Sequence, residues 1–375
     1  MADINQPSLT INGKSYGPWT GIVVDRHIEN MSSKLELTVA ENWGDGLAPW
    51  QLKKFDAFTL SFGSDLVMTG YIDDYNPSFD ENGHSVRISG RSKTAQLIDC
   101  SPDFPGGQFR GYALPAIARG VCQPFGITVV DQVGSTLTFP DATLQRTEKG
   151  FTFLQRLGRL SSVLLTDNPQ GNLVLTQAGS TRASSSLAQG INIKRASARI
   201  SGVKQFSQYI VLGQSAIGSA LAGGLGQEDS GPITPVQTQL RAVATDTSVP
   251  LYRPHTLFAE AQLSQAGMQA RAEWERNYGY GRTTQLDVTV VGFRQGDGSL
   301  WRINQIVGVD AQFLEVNQDL LIIGVKHVMD PSQGIYTVLT LAPIEGYTPM
   351  AGQVKIHTAK GKKGSIFNAG GWAQG

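Results

Sequence analysis

The chain has 375 residues, of which 40% are hydrophobic and only 17% charged, and 43 are glycine. Its 31 basic and 31 acidic side chains cancel, which excludes a whole-molecule basic field for gripping nucleic acid or an anionic membrane. The two cysteines, Cys100 and Cys122, exclude a disulfide framework and, by themselves, a zinc site.

The first predicted unit, residues 1–95, is a β-domain. Leu35, Leu37 and Val39 alternate with Glu36 and Thr38, and Phe58, Leu60 and Phe62 with Thr59 and Ser61. Val86 and Ile88 alternate with Arg87 and Ser89 in the same way. A period of two sends one face inward and the other to water, as in an antiparallel sheet or barrel. Asn12-Gly13, Gly44-Asp45-Gly46, Asn76-Pro77 and Asn82-Gly83 are the turn signals between the runs.

After Cys100 the pattern changes, and residues 96–185 read as a small α+β domain. Ala113, Ile117 and Val121, four apart, predict a helix over 112–125 with Pro115 in its first turn. Residues 127–130 are a short strand. A second helix is predicted over 148–165, with Phe153, Leu154, Leu157, Leu160 and Leu164 on one side, and then a hairpin over 168–176. Residues 186–349 return to short strands, at 191–193, 209–212, 286–291, 301–309, 320–329 and 336–341. One helix is expected at about 258–278, with Leu263, Ala266, Ala270, Trp274 and Tyr278 on one face. Residues 214–235 are rich in Gly, Ala and Ser and have too little to bury, so a loop is expected there. Residues 350–375, with four lysines and no acid, read as a flexible basic tail. The N-terminal 100 residues carry a net charge of −5.

No catalytic constellation emerges. The five histidines lack a metal-binding spacing, and His327 reads as an ordinary surface or satisfied histidine. Gly13-Lys14-Ser15-Tyr16-Gly17 fits the pattern of a nucleophile elbow, but Gly17-Pro18 cannot open the helix that an elbow needs. Asp73-Asp74, Asp80-Glu81 and Glu273/Glu275 are paired carboxylates in sequence only. Neighbours on a strand face opposite ways, and residues two apart on a helix do not meet. Cys122 beside an apolar helix stripe reads as buried and inert. Lys194-Arg195 and Arg91-Ser92-Lys93 read as solvated faces. The chain is therefore expected not to be an enzyme, to need no cofactor or metal, and to bind no specific nucleic-acid sequence. The start at Met1-Ala2-Asp3 lacks a signal peptide, and no apolar run reaches the ~20 residues of a membrane span, so synthesis in the cytoplasm without stable membrane insertion is expected.

Several segments resemble a known family. Thr69-Gly70-Tyr71-Ile72-Asp73-Asp74, with Gly90-Arg91-Ser92-Lys93 and Leu97-Ile98-Asp99-Cys100, resembles the baseplate hub family of contractile-tailed phages of the phage Mu type. Ala118-Arg119-Gly120-Val121-Cys122, Arg271-Ala272-Glu273-Trp274-Glu275, Leu300-Trp301-Arg302-Ile303-Asn304 and Leu341-Ala342-Pro343-Ile344-Glu345-Gly346-Tyr347 are similar too, so the resemblance spans about 8–349. It implies an α+β, mainly β fold in which two β-barrel, tail-tube-like domains (1–95 and 186–349) flank the small α+β domain. It implies a homotrimeric ring in the virion baseplate that meets the tail tube protein, the membrane-piercing spike protein and other baseplate proteins, with DNA passing through the lumen. Arg91 and Asp99 look like structural positions. The alternatives are a cell-wall-degrading tail enzyme, or the hub of an R-type bacteriocin or a type VI secretion spike. The type VI chains continue into a repetitive β-helix, and this sequence ends at Gly375 without a repeat. The candidate partner-binding residues are the tail lysines Lys355, Lys360, Lys362 and Lys363, with Trp372 as an anchor.

Overall fold

The computed structural model describes residues 5–16, 19–41, 52–81, 83–103, 107–139, 141–161, 163–179, 181–213, 241–258 and 265–348. The expected turn at Gly44-Asp45-Gly46, the loop at 214–235 and the tail at 350–375 lie outside them.

Strands β1 (Pro7–Ile11) and β2 (Lys14–Tyr16) form the hairpin signalled by Asn12-Gly13. Both turn residues have positive φ, +51° and +78°, as a tight two-residue hairpin turn demands. β3 (Gly21–His27), β4 (Lys34–Glu41), β5 (Ala57–Phe62), β6 (Asp65–Asp80) and β7 (Gly83–Ser92) follow, all pairing antiparallel. The period-two residues Leu35, Leu37, Phe58, Leu60 and Ile88 are buried in one core, as their alternation requires. Asn76-Pro77 is not the expected turn but lies inside the 16-residue strand β6, where Pro77 faces Val86. Beyond Ile72 the other edge of β6 pairs with no described strand, and proline is tolerated where only one ladder exists.

The middle unit contains α1 (Ala95–Asp99), β8 (Gln108–Phe109), β9 (Tyr112–Ala113), α2 (Leu114–Cys122), β10 (Val129–Asp131), β11 (Thr138–Phe139), β12 (Ala142–Thr143), α3 (Gly150–Ser161), β13 (Leu164–Asp167) and β14 (Leu173–Thr176). Helix α2 starts two residues later than expected because Tyr112–Ala113 pairs with β11, and Pro115 sits in its first turn. Helix α3 stops at Ser161 because Leu164–Asp167 pairs with β14 in the hairpin, leaving Phe153, Leu154 and Leu157 as its buried face.

The rest comprises β15 (Thr181–Arg182), β16 (Leu187–Ala188), β17 (Ile193–Ile200), β18 (Gln208–Leu212), β19 (Arg241–Thr245), β20 (Pro254–Phe258), α4 (Gln265–Gly281), β21 (Thr284–Val291), β22 (Gln305–Ala311), β23 (Val316–Asp330) and β24 (Gly334–Ala342). Helix α4 is described over Gln265–Gly281, and Phe258, where the helix is expected to open, lies in the strand Pro254–Phe258 beside β18. Its buried face carries Met268 and Ala272 against β18 and β19, while Trp274 and Tyr278 stack on each other half-buried. Gly281 ends α4 against Gly346; a Cβ at Gly281 would stand 2.1 Å from the Gly346 Cα, so the contact requires glycine.

Two runs of five strands repeat one order. The path β3-β4-β7-β6-β5 recurs as β17-β21-β24-β23-β22, antiparallel at every step. The long strand of each run has a bulge at the matching place, Ile72/Asp74 and Ile322/Gly324. The mainly β character is as expected, but closed barrels are not detected. Among the described residues the two lobes are joined by the pairing of β3 with β23 into one 14-stranded sheet whose path has open ends at β17 and β2. A core shared between lobes is the physical reason: Phe293 and Leu300 of the second lobe pack into the first lobe's cluster with Phe62 and Leu60.

Candidate functional site

The groups singled out for chemistry are held apart. Asp73 accepts from Arg91 at 2.6 and 3.0 Å, while Asp74 accepts from the Ser89 hydroxyl at 2.8 Å. Glu273 accepts from Gln269 at 3.1 Å and Glu275 from Arg271 at 2.7 Å. Among the described residues no group of three or more His, Cys, Asp and Glu side chains is placed to hold a metal ion. Cys122 is fully buried, and loss of hydration pushes its thiol up to about 12, so it stays a protonated packing residue. The tail residues Lys355, Lys360, Lys362, Lys363 and Trp372 lie outside the described residues.

Arg91 is a tie between units. Its guanidinium bridges Asp73 on β6 and Asp99 on α1, reaching the Asp99 oxygens at 3.1 and 2.6 Å. Arg91 holds Asp99 below the usual carboxylate range, so this pair stays charged where the first lobe meets the middle unit.

The junction between the lobes is built from β3 and β23. Their register runs from Gly324 opposite His27 to Met329 opposite Ile22. Beneath it Phe62 stacks on Phe293 with ring centroids 4.3 Å apart, and both meet the His327 imidazole edge-on. Arg294 crosses the joint to Asp65 and to the Phe62 carbonyl, and Arg282 pairs with Glu29. His327 is buried, with Nδ1 3.0 Å from the Thr337 hydroxyl. It is thus a structural histidine of the joint.

Burial, with the nearby charges of Arg26 and Arg294, pushes the His327 pKa down from 6.5 to about 3. The unfolded chain takes up this proton near pH 6.5, so between pH 6.5 and 3 the unfolded state binds more protons. The stabilisation is complete above pH 6.5 and is lost as pH falls towards 3, at about 1.4 kcal/mol per pH unit. Urea midpoints measured at pH 7, 5.5 and 4.5 should fall less steeply for His327→Gln than for the unaltered chain; parallel curves would show that His327 is protonated in the fold.

Among the described residues, two sheet edges carry long stretches without a paired strand. β6 from Asp73 to Asp80 has no described strand on its outer side, and four of the nine residues 73–81 are acidic with none basic. Among the described residues β17 pairs with β21 on one side and, on the other, makes just the Gln189–Ile193 bridge at its first residue, and residues 191–204 carry Lys194, Arg195, Arg199 and Lys204 with no acid. Phe79 is 83% exposed on the first edge and Ile200 72% exposed on the second. Edges of this length are normally covered. The charges on both edges are visible in the sequence as carboxylate pairs and a Lys-Arg cluster; that they lie on unpaired edges is not, because strand order depends on distant pairing.

Comparison with known proteins places three stretches in related families. Residues 6–92 match the family model described as Mu phage baseplate assembly protein GpP-like, N-terminal, and residues 264–350 match its fourth domain. Residues 94–177 match the model described as baseplate hub protein gp44-like, second domain. The chain is 32% identical over 374 residues to the baseplate hub protein gp44 of Escherichia phage Mu, covering 98% of this chain and 94% of that one. It is similar to the crystal structure of the prophage MuSo2 43 kDa tail protein from Shewanella oneidensis, with a TM-score of 0.80, 32% identity and coverage of 92% of this chain and 99% of the other. The tail protein from Neisseria meningitidis MC58 shares the fold, with a TM-score of 0.77 and 19% identity over 92% of this chain and 98% of that one.

Proposed function

The chain belongs to the baseplate hub family of Mu-like phages, and we propose that three copies form a ring at the centre of a contractile tail's baseplate. The ring adapts the sixfold tail tube to the threefold membrane-piercing spike, and its lumen passes DNA during ejection. The repeated strand order is the observation that supports this reading most. Each chain carries two lobes of one topology, so three chains offer six like units to a sixfold partner and keep threefold symmetry towards a trimeric one. The balance of 31 basic and 31 acidic groups suits a passage, since a strongly basic wall would hold a polyanion instead of letting it slide. In this reading the protein works by shape and contact, not by bond-making chemistry, and the particle takes it up in the host cytoplasm.

Light scattering on a size-exclusion peak should give about 121 kDa, three times the 40.3 kDa chain, and electron microscopy a ring with a central hole. A chain that stays monomeric both alone and with the spike present overturns the ring. The basic tail, with Lys355, Lys360, Lys362, Lys363 and Trp372, is proposed to order on the spike at an entropic cost. Deleting 350–375 should leave the trimer intact and weaken spike binding about tenfold or more; unchanged affinity removes the tail from that contact. The purified protein should leave a peptidoglycan zymogram uncleared, and clearing would instead support the cell-wall-degrading alternative.

A further inference from the structure

We infer that two interlocked loops at one end of the small sheet β19-β18-β20 form a tip that rests on an anionic lipid surface. The topology builds the tip. β18 pairs antiparallel with β19 and parallel with β20, so residues 246–253 cross over the end at which residues 201–207 enter β18. Hydrogen bonds lock the crossing. The Asp246 amide donates to the Ser207 carbonyl at 3.0 Å, and the Ser207 amide to the Arg253 carbonyl at 2.9 Å. The Arg253 amide returns a bond to the Ser207 hydroxyl at 2.9 Å, and its guanidinium donates to the Val203 carbonyl at 3.1 Å. Gln205 Nε2 donates to Asp246 Oδ2 and to the Ser248 hydroxyl, each at 2.8 Å. Half-buried Phe206 stacks on His255 with ring centroids 4.6 Å apart, and the Arg253 guanidinium lies 5.5 Å from the same ring. Pro250 and Pro254 bracket Leu251–Arg253 and fix φ on either side.

A rigid end of this kind has no means of folding its apolar side chains away. Val203 is 72% exposed, Leu251 63% and Tyr252 85%. Scattered exposed apolar residues need no account, but these three sit on two loops tied to each other through Arg253, the neighbour of Tyr252. Charge and size choose the occupant. Arg199 and Lys204 are exposed beside the tip and Arg253 lies within it. Asp246 is the single acid of residues 199–213 and 241–258, and its carboxylate is taken up by Gln205 and by the Ser248 hydroxyl at 2.6 Å. The charge left to face outward is positive, as phosphate headgroups require. Residues 201–207 and 246–253 are fewer than the roughly 20–30 a side that a stable protein interface takes. Seating a few apolar side chains among headgroups needs no matching cleft, and a tyrosine ring settles at that depth with its hydroxyl in water. Among the described residues no helix is long and apolar enough to cross a membrane, so the tip touches the bilayer through its loops. The balanced charge of the whole chain excludes a field over the whole molecule; the tip is a local exception, and it belongs to the single chain whether or not three chains form a ring.

Flotation of the full-length protein with vesicles of phosphatidylethanolamine and phosphatidylglycerol tests this. The unaltered chain should float with them. It should bind about tenfold less to vesicles of phosphatidylcholine alone, and about tenfold less in about 1 M salt, where the screening length is about 3 Å. Combining Val203→Ser, Leu251→Ser and Tyr252→Ser should weaken binding about tenfold or more. Phe313→Ser, which alters an 86% exposed side chain in the turn between β22 and β23, should bind as the unaltered chain does. All four positions are exposed, and an unchanged urea midpoint shows that each variant keeps the fold. A chain that does not float, or a triple variant that floats as well as the unaltered one, overturns the lipid contact. So does a chain that ignores vesicles while its triple variant no longer binds other baseplate proteins, since that outcome assigns the tip to a protein partner.

Discussion

Replacing Phe293 by alanine should lower the unfolding free energy by about 4 kcal/mol, the usual size for emptying a fully buried aromatic site. Phe293 is 0% exposed and belongs in sequence to the second lobe, yet it packs in the first lobe's core, stacked on Phe62. Its loss removes the stack, one ring contact to His327, and the wedge that holds β5 against the second lobe. The cavity cannot collapse easily, because the β3–β23 ladder fixes the two lobes on either side. Urea denaturation of Phe293→Ala against Phe313→Ala checks this. Phe313 is 86% exposed, and its truncation should cost within about 0.5 kcal/mol. A loss below about 1 kcal/mol for Phe293→Ala would mean that the lobes do not share a core.

Asp167→Ala should be comparably damaging, at about 3 to 5 kcal/mol. Asp167 lies on β13 of the middle unit and is buried. Its carboxylate accepts from the Ser33 amide at 3.0 Å and from the Ser33 hydroxyl at 2.8 Å, across to the first lobe. It also offsets the buried charge of Arg26, whose guanidinium donates to the Val67 carbonyl. Alanine leaves an amide, a hydroxyl and a guanidinium in the interior with fewer partners, and an unmatched buried charge costs more than the pair contributes. Asp167→Asn keeps the shape and an acceptor oxygen, so it should lose less than half as much. Equal losses for Asn and Ala would assign the effect to the lost charge and not to the shape or the acceptor oxygen that Asn keeps.

Local pattern carried much of the fold. Alternation at Leu35–Val39 and Phe58–Phe62 marks strands because the period is a property of neighbouring residues, and Asn12-Gly13 marks its hairpin because only such residues take two positive φ values cheaply. Misreadings fell where distant partners overrule local preference. Pro77 sits in a strand where no described strand pairs with its second edge, Leu164–Asp167 leaves helix α3 because β14 is there to pair with it, and α4 buries Met268 and Ala272 because β18 and β19 lie on that side.

By itself, the sequence determined the mainly β composition, the middle helices, the buried packing role of Cys122, and the family. Each follows from nearest-neighbour chemistry or from the order of short motifs. The tertiary structure alone decided that the lobes repeat one strand order, that β3 and β23 fuse them into one sheet, and that, among the described residues, no strand lies along the outer edge of β6 beyond Ile72. Those facts depend on which strands pair across some 300 residues of chain, and a backbone hydrogen bond reports nothing of its partner in the residue that makes it.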